Sequence, residues 1–383
     1  MKCWTTLHSF GIMNVTNYPR IEINEDNLSY NINHFRSKLK DSTRMLVLLK
    51  ANAYGMGAVE VAHAVEKMGV DYIGVAFVNE GVELRRAGIG LPILVLNWSR
   101  EALEDIVGYN LEPGMTDIFS LRLFGGYVAL RGLKDYPVHI KVDSGMHRVG
   151  FMENELDEFR EFFDNDNALR VKSIYSHLAG ADEACFDGFT LSQAETFDML
   201  SGKISKILGY NPTRHLYNTA GIERFAEKYP KYQYDMVRLG IGLYGFKTLE
   251  NEDVRPVASL KTKVVQVKHL DECDGTVGYS RKGRISGPTV TATISLGYAD
   301  GIDRRFGNGG AHFEVNGKLV PTIGNICMDA CMINVTGVDV HVGDVVTIFG
   351  DSPRMEELSD TLGTIPYELM TRMSRRINRV VVK

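Results

Sequence analysis

No two cysteines of this 383-residue chain stand at Cys-x-x-Cys spacing, no stretch of 18 residues is uniformly apolar, and no tract is dominated by basic side chains. The five cysteines, Cys3, Cys185, Cys273, Cys327 and Cys331, are odd in number and lack a neighbouring histidine pair. Neither a disulfide framework nor a zinc site follows, and a reducing compartment fits best. Cys327 and Cys331 fall in an alternating apolar segment and read as small buried strand residues rather than metal ligands. Without a long apolar run there is no candidate membrane-spanning helix. With 43 Lys+Arg against 48 Asp+Glu, a net charge of −5, nothing is set aside for a nucleic-acid backbone or an anionic membrane, and a small-molecule partner is expected. Residues 1–18 carry one early lysine, but Thr, His, Ser and Asn interrupt any apolar core, so they make a poor secretory signal. Met13 offers an alternative start. Repeats and low-complexity linkers are also lacking, so the domains are expected to be tightly joined.

What is present is an ordinary soluble globular composition, 44% hydrophobic and 24% charged, in a chain long enough for a large barrel and a second domain. Its most informative stretch is residues 45–57, Met-Leu-Val-Leu-Leu-Lys-Ala-Asn-Ala-Tyr-Gly-Met-Gly. The apolar run reads as a buried strand, and Gly55 and Gly57 punctuate it before a helical pattern over residues 59–68. Lys50 is thus expected where a strand empties into a loop. Apolar neighbours would lower its pKa by stripping its water and suit an amine that attacks a carbonyl. A solvated lysine that caps a strand is the commoner occupant of such a position.

Residues 20–23 alternate, and residues 24–39 have helical spacing at Leu28, Ile32 and Phe35. Short apolar runs then recur at 72–77, 93–96, 138–142, 171–176, 215–217 and 236–239, with a weaker one at 111–116 and helical patterns such as 191–208 between them. Strands alternating with helices predict parallel βαβ units, and eight of them in roughly 200–250 residues predict a TIM-type (β/α)8 barrel. Such a barrel builds its site at the C-terminal ends of its strands, and polar residues recur there. Lys50 follows the first run, Lys141 ends the fifth, His177 the sixth, Asn218 and Thr219 the seventh, and Arg238 to Gly242 the eighth. The Thr219 hydroxyl and the glycine-flanked amides stand where many barrels hold a phosphate. Beyond Gly245 the texture is β-rich, at 256–270, 289–296, 313–321 and 345–349, with a hairpin turn signal at Asn316-Gly317. The expected organisation is an extension at 1–17, a barrel over 18–251 whose first strand at 20–23 can pack on the second domain, and an all-β C-terminal domain over 252–383.

Lys50-Ala51-Asn52-Ala53-Tyr54-Gly55-Met56-Gly57 resembles the pyridoxal-phosphate (PLP) lysine motif of the alanine racemase family, in which His is usual where Met56 stands. The likeness covers nearly the whole chain after residue 19. Residues 142–150 resemble the family's loop with a substrate-side arginine, which makes Arg148 the expected holder of the substrate carboxylate. Lys141 matches a lysine that is carbamylated in many members, and its carbamate would fix the Arg148 guanidinium. Residues 176–183 are similar to a segment whose histidine, His177 here, lies beside the cofactor. Thr219 stands where the family has a phosphate-binding serine, with His215 as a supporting residue. Residues 237–245 resemble the strand whose arginine, Arg238, faces the pyridine nitrogen of PLP. An arginine cannot accept that nitrogen's proton, so the cofactor would be a muted electron sink. Val277-Gly278-Tyr279-Ser280 is similar to the motif that supplies a second acid–base group, a tyrosine from the partner subunit, which implies a homodimer with shared sites. Read without the likeness, Tyr279 is a packed strand tyrosine. Residues 297–301 resemble the entrance segment with Tyr298, and residues 324–329 a substrate-side loop in which Asn325 stands where Arg is common. There the Met328 backbone would contact the substrate carboxylate, with Asp329 in support. Tyr54, Gly240, Ile241 and Tyr367 complete the implied cofactor contacts.

The resemblance thus implies a PLP-dependent, two-base interconversion of L- and D-alanine in the bacterial cytoplasm, with D-alanine destined for peptidoglycan and no metal involved. Three alternatives stay open. One is a racemase of serine or larger amino acids, on which Met56, Asn325 and Tyr367 bear, only the last favouring a small side chain. Another is a PLP-carrying protein without turnover, although known barrels of that kind lack a β-domain. The third is a metal hydrolase using a carbamylated Lys141, for which supporting clusters of His and Asp are missing.

Overall fold

A computed structural model describes residues 18–165, 168–247 and 253–383; the expected extension at 1–17, Cys3 and the expected boundary at 251/252 lie outside them. The described residues form two compact units, one drawn from residues 24–258 and 366–371, the other from 18–23, 259–365 and 372–382. Strand β1 (Arg20–Asn24) serves the second unit, and α1 (Glu25–Ser37) opens the first.

The eight runs become β2 (Arg44–Leu48), β3 (Tyr72–Val75), β4 (Ile93–Val95), β5 (Glu112–Met115), β6 (Tyr136–Lys141), β7 (Leu169–Tyr175), β8 (Thr213–His215) and β9 (Met236–Leu239). They form a closed parallel barrel, sealed where β9 meets β2 through Arg44↔Met236 and Leu46↔Arg238. Between them lie α2 (Lys50–Tyr54), α3 (Ala58–Lys67), α4 (Val78–Arg86), α5 (Leu103–Gly108), α6 (Ile118–Leu130), α7 (Leu156–Asp164), α8 (Asp187–Leu208) and α9 (Thr219–Phe225). Parallel strands covered on both faces need continuous apolar runs rather than alternation, and Met45, Leu46, Val47 and Leu48 are all buried. Each such side chain contributes roughly 1.5–3 kcal/mol relative to exposure. Local signals set the helix ends. Asn24 and Asp117 accept the amides of Asn27 and Ser120 at 2.7 Å, and α8 stops at Gly209 with φ +71°.

The second unit contains β10 (Ala258–Leu270), β11 (Thr276–Val277), β12 (Gly283–Arg284), β13 (Thr289–Ile294), β14 (His312–Val315), β15 (Lys318–Pro321), β16 (Cys331–Asn334), β17 (Val345–Phe349) and β18 (Asn378–Val382). One antiparallel-rich sheet runs β15-β14-β17-β10-β1-β18, with β13 pairing both β10 and β16. Asn316 and Gly317, at φ +50° and +75°, make the expected hairpin between β14 and β15. The C-terminal region is mostly β, not all-β. Met355, Leu358 and Ser359 repeat at helical spacing and are buried by α10 (Met355–Leu362). Pro366 opens α11 (Pro366–Thr371), which groups with the barrel unit. Cys331 is a buried strand residue as expected, whereas Cys327 is half-buried in the preceding loop.

Gly55 lies at φ +90°, and a Cβ there would stand 2.0 Å from the Met370 carbonyl oxygen in α11. Gly55→Ala is expected to cost about 2–3 kcal/mol, from the left-handed backbone and the displaced α11. In a thermal melt of the full chain this should lower Tm by roughly 4–12 °C. An unchanged Tm would show that α11 is not seated against this turn.

Candidate active site

Lys50 does not enter a glycine loop, as its sequence context suggested, but begins a turn of the opposite hand. Ala51, Asn52, Ala53 and Tyr54 all have φ between +52° and +56°. For L-residues this costs roughly 1–2 kcal/mol each, so the turn needs outside support. Glu80, buried at the start of α4, provides it: one carboxylate oxygen accepts the Ala51 amide at 2.6 Å, the other the amides of Ala76 at 2.7 Å and Phe77 at 3.1 Å. The Asn52 side chain accepts the Ala58 amide at 2.9 Å and ties the turn to α3. Burial lowers the Lys50 pKa, Arg148 lowers it further, and Glu80 opposes both. Sequence reasoning missed Glu80, because a first-turn glutamate looks like any helix-favouring acid.

Lys50 lines a cavity of about 280 Å³ together with Tyr54, His177, Thr219, Arg238, Gly240, Ile241 and Tyr367. Asn218 caps α9 by accepting the Gly221 amide at 3.0 Å, which places Thr219 at the helix start. The Thr219 hydroxyl accepts the Gly240 amide at 3.1 Å and the Gly242 amide at 3.4 Å. A Cβ on Gly240 would come within 3.2 Å of the Tyr54 hydroxyl, so this corner admits only glycine without rearrangement. Burial raises the pKa of Tyr54, with Tyr367 adding to it, and pushes Tyr367 up to about 12 with Asp182 and Glu223 adding. Both phenols stay protonated near neutrality. A hydroxyl, two phenols and glycine amides at one end of a cavity suit a small anion such as a phosphate.

Arg238 is buried, and its guanidinium is held by oxygen and imidazole acceptors. It donates to the carbonyls of His215 at 2.9 Å, Leu216 at 3.0 Å and Ser176, and to the Nδ1 atoms of His215 at 3.2 Å and His177 at 3.4 Å. Burial lowers its pKa to about 10, so it remains a cation near neutrality. Burial and this cation drive both histidines well below the ordinary imidazole value, and they are neutral. Lys141, at the end of β6, donates to the Val142 carbonyl at 3.1 Å and to Ser176 Oγ at 3.5 Å. Burial, then Arg238, pushes its amine down to about 7. The Arg148 side chain is exposed on the loop after β6.

The remaining expected residues lie in the second unit. Tyr279 is neither packed nor in a strand: it starts a short 3-10 turn after Gly278, at φ +78°, and is 69% exposed. Asn325 donates to its carbonyl at 3.0 Å. Tyr298 and Met328 share one loop pair, since the Tyr298 amide donates to the Cys327 carbonyl at 2.9 Å and the Ala299 amide to that of Met328 at 3.0 Å. Arg376 bridges Asp300 and Asp329, both at 2.7 Å, and anchors that pair.

Comparison with known proteins converges on one family. Residues 23–248 match the model of the alanine racemase N-terminal domain, and residues 257–381 that of the C-terminal domain. An alanine racemase from Clostridium kluyveri is 35% identical over 375 residues, covering 94% of this chain and 93% of its own length. Among solved structures, the alanine racemase of Clostridium difficile superposes with a TM-score of 0.89 at 33% identity, covering 96% of this chain and 97% of its own. That of Bartonella henselae, solved with covalently bound pyridoxal phosphate, gives 0.80 at 26% identity over 95% and 99%. Family models that span both units, with a relative above 30% identity across most of the length, carry the assignment: the chain belongs to the alanine racemases, PLP-dependent isomerases.

Proposed function

We propose that this chain interconverts L- and D-alanine by a two-base route, with Lys50 acting on one face of the α-carbon and the partner subunit's Tyr279 on the other. The observation that carries the reading is the cavity in which a lysine of lowered proton affinity, a buried arginine and a group of anion-binding donors meet. PLP fits these residues, since it joins a phosphate, an aldehyde and a ring nitrogen in one small molecule. Lys50 would hold it covalently, Thr219, Tyr54, Tyr367 and the Gly240 and Ile241 backbone would take its phosphate, and Arg238 would face its ring nitrogen beside His177. When bound, PLP supplies the electron sink that makes the α-hydrogen of the amino acid acidic.

Everything else falls to the chain's own groups. The Lys50 amine, whose proton affinity burial lowers, removes the α-hydrogen on its side. A single base would return that proton to the same face, so a second group must deliver one from the other side. Tyr279 is the candidate, and its exposure leaves it available to a second copy of the chain. Arg238, with donors only, does not take the proton. Arg148 is the barrel residue assigned to the substrate carboxylate; the Met328 backbone and Tyr298 keep the substrate-side and entrance roles that the family likeness gives them, and Asp329 supports their loop through Arg376. Among the described residues no helix is long and apolar enough to cross a membrane, and the setting we assign is the bacterial cytoplasm, where D-alanine feeds peptidoglycan.

Three measurements test this reading. Purified protein loaded with PLP and incubated with a panel of L-amino acids should bring alanine, and no larger side chain as fast, to an equal mixture of enantiomers by chiral analysis; faster turnover of serine or a larger residue would refute the specificity. In deuterated water, Tyr279→Ala should still exchange the α-hydrogen of D-alanine while losing that of L-alanine, with racemisation down by about 10²- to 10⁴-fold. Equal loss of both exchanges, with PLP still bound, would remove the two-base assignment. Lys141, at about 7, is largely neutral above that pH and can add to CO2, forming an N–C bond with release of one proton. The carbamate charge would then face the Arg148 cation. As pH falls through about 7 the amine protonates and the adduct is lost, so a 13C carbamate signal from labelled CO2 should be present near about pH 8.5 and fade by about pH 6. A Lys141→Arg chain should never show it.

A further inference from the structure

The interior of a TIM-type barrel is normally filled by branched apolar side chains. Here a line of polar groups runs through it instead, from the cavity to the N-terminal end of β5. Arg238 Nη1 lies 3.2 Å from His215 Nδ1, and His215 Nε2 lies 2.8 Å from Ser173 Oγ. Ser173 Oγ is 2.6 Å from His139 Nδ1, and His139 Nε2 is 2.8 Å from Glu112 Oε2. The Tyr72 hydroxyl donates to that same carboxylate oxygen at 3.0 Å. His215, Ser173 and His139 are fully enclosed, while the Glu112 side chain retains 12% exposure at the barrel floor.

The hydrogens in this line can be ordered in one direction only. A guanidinium has donors and no acceptor, so His215 Nδ1 must accept and the neutral ring carries its hydrogen on Nε2. That hydrogen goes to Ser173, whose own hydroxyl hydrogen is left for His139 Nδ1. His139 then offers its Nε2 hydrogen to the Glu112 carboxylate. A second hydrogen on His139 would face Ser173 with two donors and leave the serine hydrogen without an acceptor in the line. The Glu112 carboxylate accepts from His139 and from the Tyr72 hydroxyl, two bonds that favour its ionised form. The line therefore begins at a cation, ends at an anion and has three neutral dipoles aligned between them, an arrangement in which each bond strengthens the next.

We propose that Glu112 is a positioning residue for the reaction: by orienting His139 and then the Ser173 hydroxyl it gives the His215 Nε2 hydrogen its acceptor, and so holds in place the imidazole that orients Arg238 toward the cofactor ring. Its importance for turnover rests on the racemase reading above; the tautomer assignment does not. Glu112→Gln keeps the side-chain shape and removes the charge, and Ser173→Ala cuts the line at its centre.

The test is nitrogen NMR of the PLP-loaded full chain with 15N-histidine. The parental protein should show His139 and His215 each as the Nε2–H tautomer. Glu112→Gln should mix the His139 tautomers, while Ser173→Ala should leave His215 in the Nε2–H form under Arg238 but shift its Nε2 resonance by removing the acceptor, with Tm changed by only a few degrees. Glu112→Gln should also lower kcat by about 10-fold, the size typical of groups that act through a ligand's partner, with KM within about 2-fold. Glu112→Asp should restore part of kcat. A parental His215 in the Nδ1–H form, or a Glu112→Gln chain with both tautomers and kcat unaltered, would overturn the proposal. Ordered tautomers in a protein that turns over no amino acid would leave the line standing and refute the racemase reading instead.

Discussion

A cation held in the mouth of the barrel by carbonyls and imidazoles, with no carboxylate among the described residues bonded to it, governs the chemistry around it. Burying Arg238 in this way is costly, because its charge is spread over dipoles and not cancelled by an anion. The consequence is a field that opposes every further positive charge nearby. Burial is the larger cause of the lowered proton affinity of His177, His215 and Lys141, and Arg238 is the largest charge contribution to each. The two imidazoles and the Lys141 amine beside it therefore bind protons less readily than they would in water.

The same site stores backbone strain. Four consecutive non-glycine residues in the left-handed region follow Lys50, and the turn persists because Glu80, Asn52 and the main-chain bond from Ala53 to Leu49 at 2.8 Å over-determine it. Its geometry places Tyr54 against Tyr244, with ring centroids 4.9 Å apart, and leaves Gly55 as the one residue small enough to meet α11. Lys50, Tyr54 and Tyr367 are thus positioned by one strained turn, although they are spread over more than 300 residues of sequence.

Much of the barrel was legible because parallel strands covered on both faces demand apolar runs, and those runs are local. Seven of the eight strands stand on the runs that predicted them, while β8 shares only His215 with its run at 215–217; of the polar residues at the strand ends, Lys50, His177, Asn218, Thr219 and Arg238 line one cavity and Lys141 does not. The Asn316-Gly317 hairpin was legible for a similar reason, since few residue pairs accept that turn. Short helices in the β-rich region were not: the apolar spacing of α10 covers little more than one turn, and α11 holds too few residues to show a period. Tyr279 was read by its neighbours as a strand residue, but the positive φ at Gly278 turns it out of the strand.

The sequence by itself determined the order of strands and helices, the presence of a lysine, an arginine and a threonine at strand ends, and the likeness that names the family. These depend on residue type and near-neighbour spacing. Only the tertiary structure decided the hand of the turn after Lys50, the role of Glu80, and the line from Glu112 to Arg238. Those depend on side chains from separate strands meeting inside the barrel. A glutamate at the start of a strand, or in the first turn of a helix, has no local signature to say which amide or imidazole it will face once the barrel closes.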